Sequence, residues 1–301
     1  RQMCIRDRRA AIRPNTKLLF GETVGNPGLD VLDIPVVAQI AHEHGLPLLV
    51  DATLSTPYLL QPLSLGADLL YHSATKFLSG HGTVIGGVVV DGGSFDWEKS
   101  GKFPELTERY EGFHNMVFSE ESTVGAFLLR ARREGLRDFG ACMSPHSAWL
   151  ILQGIETLPL RMERHLANTE KIVAFLAAHP LVSRVGHPLM DNHPSHALAN
   201  KLLRGGARGA GSVFSFDIKG SRAQGRAFIE ALKLFSHLAN VGDSKSLVIH
   251  PASTTHFRMS DEALASAGIG AGTIRLSVGL EDPADLIDDL KRALRAAEKA
   301  A

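Results

Sequence analysis

The sequence predicts an α/β fold with a buried, mostly parallel sheet, followed by a smaller α+β unit. In the first half, short apolar runs such as 48–50 alternate with amphipathic helix patterns, which is typical of a sheet buried on both faces. In the second half, strand patterns of mixed polarity alternate with helices. We expect a large domain over residues 1–157 and a C-terminal α+β domain over residues 158–301.

Strand and helix signals follow one another in the first half. Asp33 is a good helix N-cap and Gly45 is suited to the position just after the C-terminus, so a helix is predicted between them. Residues 94–118 are polar and aromatic with little periodicity, and we expect them to cross the surface. The predicted strands of this half are 17–22, 48–50, 68–72 and 84–90.

Longer helices are predicted around the domain boundary, and an α+β pattern is predicted beyond it. The helices are 123–135, 145–157, 161–178, 222–235 and 283–299. The strands are 182–185, 212–218, 247–249 and 273–278. Residues 1–9 show neither a strand nor a helix period, and we expect a truncated or misassembled N-terminus there rather than a functional basic arm.

The composition excludes several classes of function. The 301 residues contain 32 Lys plus Arg and 32 Asp plus Glu, so there is no electrostatic footprint for nucleic acid or anionic membrane. No apolar run approaches the roughly 18 residues that a membrane span needs. The two cysteines, Cys4 and Cys142, have no disulfide or metal spacing. We therefore expect a cytoplasmic protein without nucleic-acid or membrane partners.

Lys76 is the candidate catalytic residue. It follows a strand pattern, and a partly desolvated lysine there can lose its proton, attack an aldehyde and hold a cofactor as a Schiff base. On an extended segment Ser73 and Thr75 would point to the same side and could bind a phosphate. The alternatives are a surface lysine and hydroxyls that satisfy loop backbone.

Asp51 is the candidate partner of Lys76. It ends another buried strand pattern, where a carboxylate can stabilise a protonated pyridine nitrogen. The alternative is an aspartate that caps the next turn. Because ligands bind beyond the carboxyl ends of parallel strands, we expect Glu22, Asp51, Ser73 and Lys76 to lie close together.

Several motifs in order resemble the Cys/Met-metabolism family of pyridoxal 5'-phosphate (PLP)-dependent enzymes, from about residue 12 to the end. This resemblance implies PLP as cofactor and a PLP fold type I large domain. Segments 240–247 and 254–256 are most similar to those of O-acetylhomoserine sulfhydrylases. The family motifs are 22–27, 50–53, 72–76, 154–162, 250–256 and 274–281.

The resemblance also implies roles for individual residues. Arg275 would clamp the substrate α-carboxylate, which suits the bidentate geometry of a guanidinium. Asn240, at a position that is often serine in the family, would lie near the same carboxylate, and Ala52 replaces a common asparagine. The implied cofactor-binding residues are Lys76 for the Schiff base, Asp51 for the pyridinium nitrogen, Asn26 for the ring hydroxyl, and Ser73 and Thr75 for the phosphate.

One departure concerns the N-terminus. The family has a preceding segment with a glycine-rich phosphate-binding turn, a tyrosine that stacks on the cofactor and a Tyr-x-Arg element that enters the neighbouring subunit's site. Residues 1–20 match none of these. A phosphate needs several oriented donors. We therefore expect an N-terminally truncated chain with a partial large domain.

The function implied by the resemblance is γ-replacement, in which O-acetyl-L-homoserine and sulfide give homocysteine and acetate for methionine and cysteine biosynthesis. Homotetramers are the implied assembly. One alternative is transsulfuration or γ-elimination, as in cystathionine γ-synthase or γ-lyase. An alternative of another class is a non-catalytic fragment that lacks the phosphate-binding segment.

We expect no metal site. His42 and His44 would diverge on a helix, and the histidines at 187, 193 and 196 lie in a proline-containing loop with no acidic companion beyond Asp191. The sequence also contains no nucleophile elbow and no dinucleotide fingerprint after a strand.

Overall fold

The protein contains two sheets, one in each half of the chain. The computed structural model describes residues 5–26, 28–122, 125–266 and 269–300. The first sheet has the order β1-β2-β3-β4, with parallel pairing except for the antiparallel β4. Its strands are β1 (Leu19–Glu22), β2 (Leu48–Asp51), β3 (Leu69–Ser73) and β4 (Gly87–Asp91). The prediction of a mostly parallel sheet in an α/β fold is confirmed.

The second sheet is mixed and has the order β5-β6-β9-β8-β7. Only β7 and β8 pair in parallel. Its strands are β5 (Val182–Gly186), β6 (Val213–Ile218), β7 (Ser236–His237), β8 (Leu247–Ile249) and β9 (Thr273–Ser277). This α+β arrangement is the one predicted for the second half.

The helices cover the sheets and connect them. In the first half they are α1 (Ile5–Ala11), α2 (Ile34–Glu43), α3 (Thr56–Leu59), α4 (Trp97–Ser100), α5 (Pro104–Thr107), α6 (Phe118–Glu121), α7 (Ala126–Arg130), α8 (Arg137–Phe139) and α9 (Pro145–Glu156). They continue with α10 (Leu158–Ala177), α11 (His196–Leu202), α12 (Arg222–Ala231), α13 (Asp261–Ser266) and α14 (Pro283–Lys299). No helix in the described ranges is both long and apolar enough to cross a bilayer.

Helix α2 forms as its sequence predicts. The Asp33 carboxylate accepts a hydrogen bond from the Val36 amide (3.4 Å), and Gly45 takes a φ of +62° just beyond the helix. Apolar residues of α2, among them Val37 and Ala41, are buried in the main core. Helix α2 thus connects β1 to β2, which pair in parallel.

Helix α10 links the two halves through one continuous core. Met162, Leu166 and Ile172 on this helix are buried in the same cluster as residues of both sheets. The α9–α10 junction coincides with the predicted boundary between residues 157 and 158. The division into two domains there remains a prediction, since the apolar contacts run across it.

Two local expectations were wrong. Residues 94–118 do not simply cross the surface, because Trp97, Leu106 and Phe118 are buried in a second, small core that also contains Leu69 of β3. The helices in this segment are too short to give a helical hydrophobic period in the sequence. Residues Ile5–Ala11 form α1, of which Arg9 pairs with Glu43 at 2.7 Å. The predicted helix 123–135 is confirmed in its described part, because helical backbone continues from Ala126 to Phe139 through a π-helical segment; its first two residues lie outside the described ranges.

Helix α9 crosses directly over the turn that follows β3. At Gly154 a Cβ atom would overlap with the carbonyl oxygens of Leu78 and Ser79. The close approach of helix and turn therefore requires glycine at this position.

We expect Gly154→Ala to lower the free energy of unfolding by about 1–3 kcal/mol, because the turn must move to admit the methyl group. Urea denaturation measures this change. The matched control is Gly135→Ala, where a Cβ meets nothing within 4 Å. That variant should be neutral or up to about 1 kcal/mol more stable, as helical Gly→Ala changes are. Equal effects of the two variants would contradict the packing described here.

Two fully buried histidines are held neutral. His187 Nδ1 accepts a hydrogen bond from the Leu189 amide (3.1 Å), while Nε2 lies 3.1 Å from the Gly211 carbonyl, to which it donates. His165 Nδ1 donates to the Val278 carbonyl (2.7 Å), and its Nε2 has no partner among the described residues. Burial lowers the pKa of both His165 and His187 to about 4.

The pH dependence of stability follows from these shifts. A histidine whose pKa is lower in the folded state is protonated more readily in the unfolded state. The free energy of unfolding therefore has its full value above pH 6.5 and falls towards pH 4. Each of the two histidines should lower the free energy of unfolding by roughly 3 kcal/mol by pH 4. In urea denaturation at pH 7 and pH 5, His187→Gln should lose less stability on acidification than wild type. The surface variant His146→Gln should match wild type, and equal losses in all three proteins would refute the assignment.

Candidate active site

The carboxyl ends of β1, β2 and β3 meet around a cavity of about 210 Å³. The four residues predicted to cluster there, Glu22, Asp51, Ser73 and Lys76, all line it. That prediction is confirmed, and it follows from the parallel register of the three strands. The remaining lining residues are Val24, Asn26, Thr53, Leu54, Tyr71 and Val241.

Lys76 projects from an unusual turn. Strand β3 ends at Ser73, and residues Ala74–Leu78 then form a π-helical turn in which Lys76 itself departs from helical geometry (φ −90°, ψ −129°). The Lys76 carbonyl accepts a hydrogen bond from the Gly80 amide (2.8 Å). Single π-helical turns occur frequently at functional sites. Here the turn directs the lysine side chain back to the edge of the sheet.

The amino group of Lys76 is half-buried and faces the second sheet. Burial, and next the positive charge of Arg275, lower the pKa of Lys76 from its usual 10.5. Its Nζ donates a hydrogen bond to the Asn240 side-chain oxygen. Lowering the pKa increases the fraction of neutral amine, which is the nucleophilic form.

Arg275 and Asn240 reach the lysine from the C-terminal half. Arg275 lies on β9, and its guanidinium donates to the Asn240 backbone carbonyl (3.3 Å). Burial lowers the pKa of Arg275. It nevertheless remains a cation, because a guanidinium keeps its proton in proteins. The two predicted substrate-binding residues therefore meet at Lys76, although they are 35 positions apart.

Asp51 is held by two donors on its two oxygens. Oδ1 accepts from the Thr53 amide (2.9 Å), and Oδ2 accepts from the Tyr71 hydroxyl (2.7 Å). Burial, followed by the hydrogen bond to Asp51, raises the pKa of Tyr71 to about 12, so this hydroxyl stays a donor at neutral pH. The carboxylate therefore has a fixed orientation, with lone pairs left for a ligand.

Tyr71 and Thr53 are the residues that sequence reasoning missed. Tyr71 is the parallel-register partner of Asp51, so a register prediction for β2 and β3 would have placed the two side by side. Thr53 is harder to identify from the sequence, because its hydroxyl bonds to backbone: it accepts a hydrogen bond from the Ser73 amide (2.9 Å).

Glu22 and Asn26 form the outer wall of the cavity. Burial, and next the charge of Asp51, raise the pKa of Glu22, while a backbone hydrogen bond from Asn26 opposes this shift. Both residues are exposed at the rim. A role of Asn26 at the cofactor's ring hydroxyl stays a prediction.

The expectation for the two hydroxyls was wrong in part. The chain leaves the extended conformation after Ser73, so Thr75 does not follow it on the same side of a strand. The Thr75 hydroxyl instead accepts from the Gly86 amide (3.1 Å) and donates to the Gly86 carbonyl (3.3 Å). This is the alternative in which a hydroxyl satisfies loop backbone. Ser73 lines the cavity, and phosphate contacts of either residue remain predictions.

Other parts of the chain offer weaker candidates. Within the described residues no group of three or more His, Cys, Asp or Glu side chains could hold a metal ion. A larger cavity of about 570 Å³ lies beside His42 and Asp68, whose side chains pair at 2.9 Å. It contains none of the residues that the family motifs single out.

The donor set around the 210 Å³ cavity fits PLP. An amine with a lowered pKa can bind the aldehyde, an oriented carboxylate can pair with the ring nitrogen, and a serine hydroxyl faces the same space. Lys76, Asp51 and Ser73 are thus the residues of this chain that suit the cofactor.

Comparisons with known proteins find relatives that share almost half of their aligned residues with this chain. The chain is 48% identical over 295 residues to the O-acetyl-L-homoserine sulfhydrylase of Leptospira meyeri, covering 95% of this chain and 66% of the relative. It is 47% identical to the homocysteine synthase of Schizosaccharomyces pombe, covering 97% of this chain and 68% of the relative. The chain thus spans about two thirds of the length of these relatives.

A solved structure shows the same fold. The O-acetylhomoserine (thiol)-lyase of Campylobacter jejuni superposes with a TM-score of 0.91 at 37% identity, covering 97% of this chain and 69% of that one. That crystal structure contains N'-pyridoxyl-lysine-5'-monophosphate. Residues 2–295 of this chain match the family described as Cys/Met metabolism PLP-dependent enzyme. The chain therefore belongs to this family of PLP-dependent enzymes, as its motifs predicted.

Proposed function

We propose that this chain forms the lysine-bearing site of a γ-replacement enzyme that converts O-acetyl-L-homoserine and sulfide to homocysteine and acetate. The observation that supports this most directly is the contact of Lys76 with Asn240, which in turn binds Arg275. This chain of contacts places a nucleophilic amine beside a cation that suits an amino-acid carboxylate. The names of the relatives support the substrate.

The chemistry that PLP supplies when bound is an electron sink for negative charge on the substrate carbons. Asp51, oriented by Thr53 and Tyr71, would pair with the ring nitrogen. Lys76 would hold the cofactor's aldehyde carbon and afterwards move protons through Nζ at the substrate's Cα and Cβ. Each role requires that Lys76 be neutral for part of the reaction, and its lowered pKa favours that form.

Arg275 would bind and orient the substrate. A guanidinium makes two parallel hydrogen bonds to a carboxylate, and partial burial strengthens them by excluding water. Asn240 would steer the same carboxylate while its side-chain oxygen keeps Lys76 nearby. We further propose a cytoplasmic homotetramer, supported by the family resemblance alone.

The first test is whether Lys76 binds PLP and turns over substrate. The purified chain should give a borohydride-stable PLP adduct at Lys76 by peptide mapping and should form homocysteine from O-acetyl-L-homoserine and sulfide. Lys76→Ala should lower turnover roughly 10³-fold or more, because the nucleophile and the proton carrier are lost together. The exposed control Lys245→Ala should retain activity.

The outcomes of this test separate the alternatives. Keto acid and ammonia as the main products in the presence of sulfide would indicate γ-elimination instead of replacement. Cystathionine formed when cysteine replaces sulfide would indicate transsulfuration. No adduct at Lys76 would favour a non-catalytic chain.

A second prediction concerns the charge next to Lys76. Arg275→Gln removes one of the two causes that lower the pKa of Lys76, so that pKa should rise towards 10.5 while the effect of burial remains. Competitive acetylation of the cofactor-free protein as a function of pH, quantified at Lys76 by mass spectrometry, measures the shift. The exposed variant Arg295→Gln should leave the titration unchanged. An unaltered Lys76 titration in Arg275→Gln would show that the arginine does not act on the amine.

A further inference from the structure

Arg161 is a buried cation under the Lys76 turn. It lies on α10 with only 6% of its surface exposed. Its guanidinium donates to the carbonyls of Phe77 (2.8 Å), Leu78 (3.3 Å) and Gly154 (2.6 Å), and its Nε donates to the Thr157 hydroxyl (3.1 Å). One side chain thus joins the π-helical turn to the end of α9.

The acceptors that Arg161 binds are carbonyl groups at the ends of two helical segments. Phe77 and Leu78 close the π-helical turn, and Gly154 lies in the last turn of α9. Carbonyl groups at helix C-termini lack intrahelical donors and have partial negative charge, so a cation there is favourable. The planar fork of an arginine can serve three such groups at once, which a lysine ammonium cannot do in the same geometry.

Arg161 forms no ion pair with a carboxylate among the described residues. None of the ion pairs between residues that the structure describes includes it, and burial lowers its pKa. Burying a charge that meets only neutral carbonyls has a large desolvation cost, so it contributes little net stability. The more direct explanation for the buried Arg161 is the geometry that it imposes on the turn.

The turn is enclosed tightly enough for that geometry to reach Lys76. At Gly80, whose φ is +72°, a Cβ would overlap with the Arg161 guanidinium. On the other side, a Cβ at Gly242 would lie 2.9 Å from the Phe77 amide nitrogen and 3.1 Å from the Lys76 Cβ. The Ser244 amide also donates to the Gly80 carbonyl (2.8 Å). The turn is therefore clamped between Arg161 and the loop around Gly242.

We propose that Arg161 is a positioning residue that fixes the carbonyls following Lys76 and thereby holds the lysine amine in its partly desolvated place. It touches neither the cavity nor the substrate-binding residues. The importance of Arg161 for catalysis rests on the proposed function, whereas its effect on the Lys76 amine is a property of the cofactor-free chain.

The test is competitive acetylation of Lys76 across pH in the cofactor-free protein. In Arg161→Met and Arg161→Lys the turn should loosen and the amine should become more hydrated. The acetylation rate at pH 8 should then fall about five-fold as the neutral fraction shrinks. Thr157→Val removes the hydroxyl that accepts from Nε and itself donates to the Gly154 carbonyl (3.3 Å), and it should give about a two-fold fall.

Arg164→Met is the matched control, because Arg164 lies on the same helix and also donates to backbone carbonyls, those of Leu280 and Glu281. It should leave Lys76 acetylation unchanged. If Arg161→Lys behaves like wild type, charge and not the fork geometry is responsible, and the proposal fails.

Stability and cofactor binding are measured separately. A lower urea midpoint in the Arg161 variants with an unaltered Lys76 titration would show a merely structural role and overturn the proposal. Thr157→Val, a near-isosteric change, decides the matter if the Arg161 variants do not fold: unaltered acetylation would contradict the proposal. Failure of wild type to form a PLP adduct would refute the proposed function while leaving the acetylation result valid.

Discussion

The site depends on the way the backbone turns after β3. Strand β3 is held in register by β2, and the chain then has five residues, Ala74–Leu78, in which to present Lys76 and reverse direction. A π-helical turn leaves carbonyls unsatisfied, and these are bound by the guanidinium of Arg161. Helix α9 can lie against the turn only because Gly154 has no side chain. The position of one amine thus results from a strand register, a helix crossing and a buried cation.

Much of this could be predicted from the sequence because its signals are local. The end of β2 at Asp51 and the cap of α2 at Asp33 follow from residue type and neighbouring pattern. The convergence of strand ends then follows from parallel topology. The position of Thr75 could not be predicted in this way, since the departure from extended geometry after Ser73 depends on contacts with Gly86 and with Arg161 of α10 that local pattern does not reveal.

The contacts made by Tyr71 and Arg161 illustrate a second limit. Each lies in a segment whose pattern was recognised, as a strand residue and as a helix residue, yet the function of each depends on a partner at long sequence distance. Tyr71 binds Asp51 across 20 positions, and Arg161 binds Phe77 across 84. Periodicity identifies which face of an element is buried, but it does not identify the polar group that a buried donor meets.

Groups of opposite charge lie on two sides of the cavity, and this asymmetry supports the proposed combination of a zwitterionic substrate and a heterocyclic cofactor. Glu22 and Asp51 lie at the ends of β1 and β2, while Lys76 enters from the turn and Arg275 lies beside it on the second sheet, bonded to Asn240. A protonated ring nitrogen belongs at the acidic wall and a substrate carboxylate at the basic one. The raised pKa of Glu22 limits repulsion within the acidic wall, and the lowered pKa of Lys76 limits it within the basic wall. In the proposed function, Asp51 and Arg275 would be the ionic groups that meet ligands, and Lys76 would act as the nucleophile.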